Sequence, residues 1–201
     1  MIIAISGLSG CGNTTVSGLV AARLGLKKIN YTFHDLARDK GTAFEEILAR
    51  AEKEFPKLDL ELDGKIAEAA AAGNCVVGSR IAVWRDAADL RVWLHAPFRT
   101  RAKRIAQREG TEPGFKAVKE RDAADAARYK KLYGMSLKKH ADQCDLEINT
   151  ERVSAEKAAD IIAAAAGKLP FEKKKNKWPQ KVGKIIEQGG KAAASTAAAG
   201  A

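Results

Sequence analysis

AISGLSGCGNTTVSGL, residues 4–19, comes within one residue of a phosphate-binding loop. The pattern is G-x-x-x-x-G-K-[ST]. Gly7 and Gly12 stand at the required separation and Thr14 supplies the hydroxyl, but Asn13 takes the place of the lysine. The apolar run IIAIS (2–6) before the loop predicts a strand. The stretch after it, TTVSGLVAARLG, spaces Val16, Leu19, Val20 and Leu24 along one side of a helix, with Gly25 as its stop. Glycines let main-chain N–H groups turn inward around phosphate oxygens, and the following helix adds the positive end of its dipole. A turn of Gly, Ser and Thr would also join a strand to a helix without binding anything. The position directly after an apolar N-terminal strand favours the phosphate-binding reading. The lysine normally offsets charge on the terminal phosphates; asparagine donates a hydrogen bond but carries no charge.

Downstream, TFHDLARDKG and TAFEEILARAEKEF read as helices, the second opened by a capping box of Thr42 and Glu45. LDLELDGKIAEAAAAG predicts a further helix closed at Gly73. NCVVGS and DLRVWLHA read as buried strands. FRTRAKRIAQREG predicts a basic helix ending at Gly110, and GFKAVKERDAADAARYKKLYG a long charged one. CDLEINT supplies a last strand and SAEKAADIIAAAAGKL a last helix. Alternating strands and helices predict an α/β fold, a central parallel sheet covered by helices on both faces. Ligands of such sheets sit at the carboxyl ends of the strands.

Apolar residues make up 46% of the 201, enough for one compact domain with an appendage. No run approaches the roughly 18 apolar residues of a spanning helix, so no membrane is expected. MIIAISG reads as a first strand and not as a signal peptide. Cys11, Cys75 and Cys144 are odd in number and lack metal-ligand spacing; they read as reduced thiols of a cytoplasmic protein, Cys11 as a small filler of the loop. The net charge is +10, of which the eight lysines and two glutamates from Lys168 onward contribute +6. Residues 170–201, lysine-rich and then rich in Ala, Gly and Ser, read as a mobile basic tail. Val182, Ile185 and Ile186 could line a short helix in it. Weak, non-specific RNA contact through this tail, with Trp178 as a stacking surface, is its functional reading; a solubilising extension is the plainer one.

Without a loop lysine, other cations must serve the phosphates. Arg80 follows the CVVGS strand, where ligand-facing residues belong, and Arg101, Arg104, Arg108, Arg121 and Arg128 come later. Arg104 and Arg108 share one helix face, Arg121 and Arg128 another. A guanidinium fork suits phosphate oxygens. Asp122 and Asp125 could instead neutralise these arginines. No nucleophile is needed, so His34, His95 and His140 are assigned no catalytic role.

Taken in order, ISGLSGCGNTT, YTFHDLARDKG, LDLELD, GNCVVGSRIAVW, ADLRVWLHAP, RAKRIAQREG, ERDAADAARYKKLYG and DLEINT resemble the archaeal-type cytidylate kinases, within the P-loop nucleoside monophosphate kinases. The resemblance covers about residues 1–167. It implies a kinase domain over 1–169, with a helical monophosphate-binding insertion at about 31–73 and a helical lid at about 108–128. It implies transfer of the γ-phosphoryl group of ATP to CMP, and to dCMP, with Mg²⁺; a monomer is expected. Gly7, Leu8, Ser9, Gly10, Cys11, Gly12, Asn13, Thr14 and Thr15 would hold the donor phosphates, Thr14 the metal, and Asn149 would lie near the donor base. Asp35, Arg38, Asp63 and Arg80 would contact the acceptor, and Arg80, Arg108, Arg121 and Arg128 the transferring group. Asn13 departs from the family's usual lysine. A kinase for another monophosphate, or a catalytically weak nucleotide-binding module associated with RNA, are the competing readings.

Overall fold

The computed structural model describes residues 1–110, 114–170 and 176–198. Five strands, β1 (Ile2–Ser6), β2 (Lys27–Ile29), β3 (Cys75–Gly78), β4 (Leu90–His95) and β5 (Leu146–Asn149), form one sheet in the order β2-β3-β1-β4-β5, and every pairing is parallel. The central strands are mostly apolar, with Arg91 and His95 of β4 as exceptions, because both faces are covered. Ile3 and Ile5 point to one layer, where α1 (Asn13–Leu24) and α8 (Ala155–Ala166) bring Val16, Val20 and Ile162. Ala4 points to the other, where α4 (Lys57–Ala71) and α5 (Ala82–Arg85) bring Ile66, Ala82 and Trp84. Helices α2 (Phe33–Asp39) and α3 (Phe44–Lys53) close a small cluster of their own around Leu36, Ile47 and Leu58. Helices α6 (Phe98–Glu109) and α7 (Phe115–Tyr133) stand beside the sheet. A 3₁₀ segment, Leu137–Gln143, leads from α7 to β5.

Three features differ from the sequence expectations. Strand β2 was not foreseen: it is three residues long, and of Lys27, Lys28 and Ile29 only the last is buried. Lysines on a short edge strand oppose pairing with other chains and erase the apolar signature at the same time. The capping box is at Thr32 and Asp35 on α2, where Asp35 N donates to Thr32 Oγ1 and Thr32 N to Asp35 Oδ2. At Thr42–Glu45 no box forms; α3 starts at Phe44 with Ala43 as its cap, and the Thr42 hydroxyl bonds Glu46 instead.

The third difference is at the C-terminus. Residues Trp178–Ala198 form a helix, α9, that packs on α4, α5 and α7. Val182 is fully buried, and Trp178, Ile185 and Ile186 pack against the core layer of α4 and α5. A docked helix thus stands where a mobile tail was expected, because the apolar positions at 178, 182, 185 and 186 form a stripe with a partner surface waiting. Residues 171–175 and 199–201 of that expected tail, and 111–113 of the expected lid, lie outside the described residues. Among the described residues no helix is long and apolar enough to cross a membrane.

Candidate active site

The segments leaving β1, β2, β3 and β5 at their carboxyl ends meet at a cleft of 860 Å³. Its floor is the glycine turn between β1 and α1. Gly10 has φ 82°, and a Cβ there would come within 2.8 Å of the Arg101 carbonyl oxygen; a Cβ on Gly7 would come within 2.4 Å of that of Leu94. Glycine is therefore required for the turn to lie this close to β4 and α6. Asn13 heads α1, and its Nδ2 donates to the Gly7 carbonyl across the turn at 2.7 Å. The side chain braces the turn from within, and its Oδ1 is buried with no hydrogen-bond partner among the described residues. Thr14 and Thr15 are exposed to the cleft. Cys11 is buried, and burial pushes its thiol above the usual range against the pull of Arg101. That agrees with a filler and not with a reactive thiolate.

Two arginines of α6 hold the turn from behind. Arg101, itself buried, donates to the Ser9 carbonyl at 3.0 Å and forms a two-pronged pair with Asp122 of α7, the shorter contact 2.6 Å. Arg104 donates to the Gly10 carbonyl at 3.2 Å and to the Thr150 carbonyl at 2.6 Å. Thr150 in turn donates its hydroxyl to the Cys11 carbonyl at 3.0 Å. The carbonyls of three successive loop residues are thereby engaged from the α6 and β5 sides.

Arg80 projects into the cleft from the end of β3. Its Nη2 lies 3.1 Å from Ser9 Oγ and 2.9 Å from Asp125 Oδ2, the latter a charge contact without hydrogen-bond alignment. Burial raises the Asp125 carboxyl above its ordinary range; Arg80 opposes the shift and Asp122 adds to it. Both aspartates of α7 thus lie against arginines beside the turn, the pairing the sequence allowed for them. Tyr129, one turn beyond Asp125, also faces the cleft, and burial raises its hydroxyl. The opposite wall is built from Tyr31, Thr32 and Phe33 after β2, and from Leu62, Asp63 and Ile66 of α4. Tyr31 is held by Lys65, whose ammonium lies 3.1 Å from its hydroxyl and 2.9 Å from Asp39.

The structure brings Leu8 through Thr15, Asp63, Arg80 and Arg108 to the cleft. Asp63 lines it, but both of its oxygens are committed: Arg85 Nη1 donates to one and the Tyr133 hydroxyl to the other, each at 2.7 Å. Arg108 is exposed at the rim and pairs with Glu109 at 2.8 Å. Arg121 reaches the same Glu109 at 3.1 Å, and Arg128 grips Asp59, with its Nη2 2.7 Å from Oδ2; neither lies on the cleft wall. Asp35 caps α2 and pairs with the exposed Arg38 at 2.9 Å, both away from the wall. Gly7 lies beneath the turn, and Asn149 accepts the Glu151 amide at the end of β5. Tyr129 was not assigned a site role from sequence, whereas Arg104 was among the cations expected to serve the phosphates. Tyr129 had one usable signal, its i+4 spacing from Asp125 on the same helix face.

Among the described residues no group of three or more His, Cys, Asp or Glu side chains could hold a metal. The Thr14 position at the head of α1 suits Mg²⁺ bound mainly through nucleotide phosphates, which is how this ion is commonly held.

A family model described as the cytidylate kinase-like family matches residues 2–152. The chain is 40% identical over 174 residues to the cytidylate kinase of Pyrococcus horikoshii, covering 84% of this chain and 90% of that protein. It is 35% identical over 181 residues to cytidylate kinase 2 of Borreliella burgdorferi, covering 86% and 99%. Among solved structures, deoxyadenosine kinase from M. mycoides with bound dATP superposes with a TM-score of 0.59 at 14% identity, over 83% of this chain and 100% of that one. Shikimate kinase from Acinetobacter baumannii in complex with shikimate does so with a TM-score of 0.57 at 18% identity, over 84% and 94%. These two likenesses speak for the fold, a parallel sheet flanked by helices with a phosphate loop after its first strand.

Proposed function

The chain belongs to the cytidylate kinase-like family, and from that premise we propose that its cleft transfers the γ-phosphoryl group of ATP to CMP, and to dCMP, giving ADP and the diphosphate. The observation that carries the assignment of halves is one cleft with a phosphate turn on one side, an aromatic and acidic wall on the other, and Arg80 between them. ATP lies with its phosphates on the turn. With the carbonyls of Ser9, Gly10 and Cys11 engaged from behind, the loop amides and the α1 N-terminus are the groups that meet anions. Thr14 would hold Mg²⁺, which would supply charge neutralisation at the phosphates. CMP lies against Tyr31, Phe33 and α4.

Arg80 is the cation common to both halves. Before binding it is held by Ser9 and Asp125; a phosphate oxygen replaces Asp125, and the fork then bridges acceptor and transferring groups. Arg104 and Arg108 add positive charge on the donor side. Arg121 and Arg128 sit on α7 with carboxylate partners, and closure of α6 and α7 over the cleft would exchange those partners for phosphate while excluding water. Asp35 and Arg38 act at most by shaping α2, and Asn149 by shaping the turn into α8. Transfer is in line and needs no covalent intermediate, so positioning and charge do the work. The three thiols are free, which suits the ATP-rich cytoplasm, and one chain supplies every wall of the cleft, so a monomer suffices. RNA contact through the C-terminal lysines has less support, because Trp178 packs against the core with the Lys181 ammonium 4.5 Å from its ring centroid.

Turnover of Mg-ATP with CMP, dCMP, UMP and AMP in turn, read as ADP formed, tests the assignment. CMP and dCMP are expected to exceed the others by at least about tenfold in kcat/KM, well within what a pocket that hydrogen-bonds one base can discriminate. A preference for AMP or UMP would reassign the acceptor, and ATP binding without any turnover would favour a nucleotide-binding module.

A further inference from the structure

Helix α9 lies outside residues 2–152, the span matched by the family model, yet it is seated against the outer side of the wall assigned above to the acceptor. It runs antiparallel to α4: a Cβ on Gly64 would come within 3.3 Å of Ile186 Cγ2, and a Cβ on Gly189 within 2.3 Å of Leu60 Cδ1. Glycine on each helix lets the two approach closely, and Val182 is fully buried between them and α5. On the next face of α4, Asp63 and Ile66 line the cleft, while Asp59, beside Leu60, holds Arg128 of α7. Helix α9 also reaches α7 at its end, where the Lys181 ammonium lies 3.4 Å from the position of a Cβ on Gly134.

We propose that α9 is a positioning strap for the acceptor half of the cleft. It clamps α4 against α5 and α7 and so fixes the distance between the Asp63 side of the wall and Arg80. Among the described residues the main contacts of α9 are with α4, α5 and α7, so its effect is placed on the acceptor half. The inference rests on the assignment of the α4 wall to the monophosphate.

Full-length Gly189→Leu tests it, because the added side chain pushes Leu60 and α4 toward the cleft. The Michaelis constant for CMP is expected to rise about tenfold, while that for ATP stays within about twofold; a factor of ten is the effect of misplacing a substrate by well under an ångström. The double variant Leu60→Ala/Gly189→Leu makes room again and should return the CMP constant to within about threefold of the starting value. If Gly189→Leu does not fold, Gly189→Ala carries the same test with a smaller shift in the same direction. A folded variant with an unchanged CMP constant, or with both constants displaced together, overturns the strap. If the unsubstituted protein prefers another monophosphate, the CMP assignment fails, and the constant for that monophosphate decides the strap by the same criteria.

Discussion

Replacing Arg80 by alanine is expected to lower kcat/KM for CMP by about 10²- to 10³-fold while leaving the protein folded, the range observed when one preorganised donor to a developing negative charge is removed. The reason is the missing loop lysine. Asn13 spends its amide on the Gly7 carbonyl, so no ammonium reaches the phosphates from the turn. Of the arginines beside the turn, Arg101 is buried and paired with Asp122, and Arg104 is committed to Gly10 and Thr150. Among the described residues Arg80 has Ser9 and an unaligned contact to Asp125 as partners, so of these three its fork is the most readily released. Losing it also removes from Asp125 the guanidinium that opposes the burial-driven rise of its carboxyl. Arg80→Lys keeps the charge and loses the fork, so its activity should fall between the two. Steady-state kinetics with Mg-ATP and CMP, alongside a thermal melt, read both quantities. Near-normal kinetics for Arg80→Ala would remove that residue from the reaction.

The largest effect on stability is expected at Arg85. Its guanidinium is buried and holds three partners, Asp63 at 2.7 Å, Asp86 at 3.0 Å and the Ser79 hydroxyl at 3.3 Å. This cluster ties α5 to α4 and, through Tyr133 and Asp63, to α7. Arg85→Met fills similar space but leaves two buried carboxylates without their cation, at a cost of about 3–5 kcal/mol near neutral pH. The pH dependence has a definite sign. Burial pushes the Asp63 carboxyl up, and Arg85 is the strongest opposing influence. In the variant the folded-state value rises further above the unfolded one. Stability from such a group is present below the unfolded value and is lost as pH rises through the folded value. The deficit relative to the parent protein should therefore shrink as pH falls toward about 4, the ordinary aspartate value. Urea unfolding of both proteins across that range measures it. Equal stability at pH 7, or a deficit that widens in acid, would contradict the account of the cluster.

What could be read from the sequence was local. The apolar run, glycine turn and amphipathic helix of residues 2–24 encode their structure within a few residues of themselves, and the parallel strands at 75–78 and 90–95 carry the short apolar stretches CVV and VWL. Strand β2 was not legible, because two of its three residues are edge lysines. A short helix around Val182, Ile185 and Ile186 was allowed for, but the docking of α9 was missed because four apolar positions among lysines and glycines form no core alone; the partner surface lies on α4 and α5, and Gly189 serves close packing where it reads as linker. The arginines divide the same way. That cations cluster near the turn follows from their number and spacing. Which of them brace the loop and which face the cleft depends on contacts such as Arg101 to Ser9 and Arg104 to Thr150, 92 and 46 residues apart. Asp35 was read as a substrate contact, whereas the adjacent T-x-x-D spacing places it in the cap of α2.

Phosphorus NMR of the protein with Mg-ATP and CMP follows the transferred group itself. Main-chain amides and guanidinium groups acting in place of a loop ammonium should yield ADP and CDP in equal amounts, with no inorganic phosphate beyond the enzyme-free rate. ADP accompanied by inorganic phosphate instead of CDP, or an unchanged spectrum from protein that binds ATP, would contradict the account.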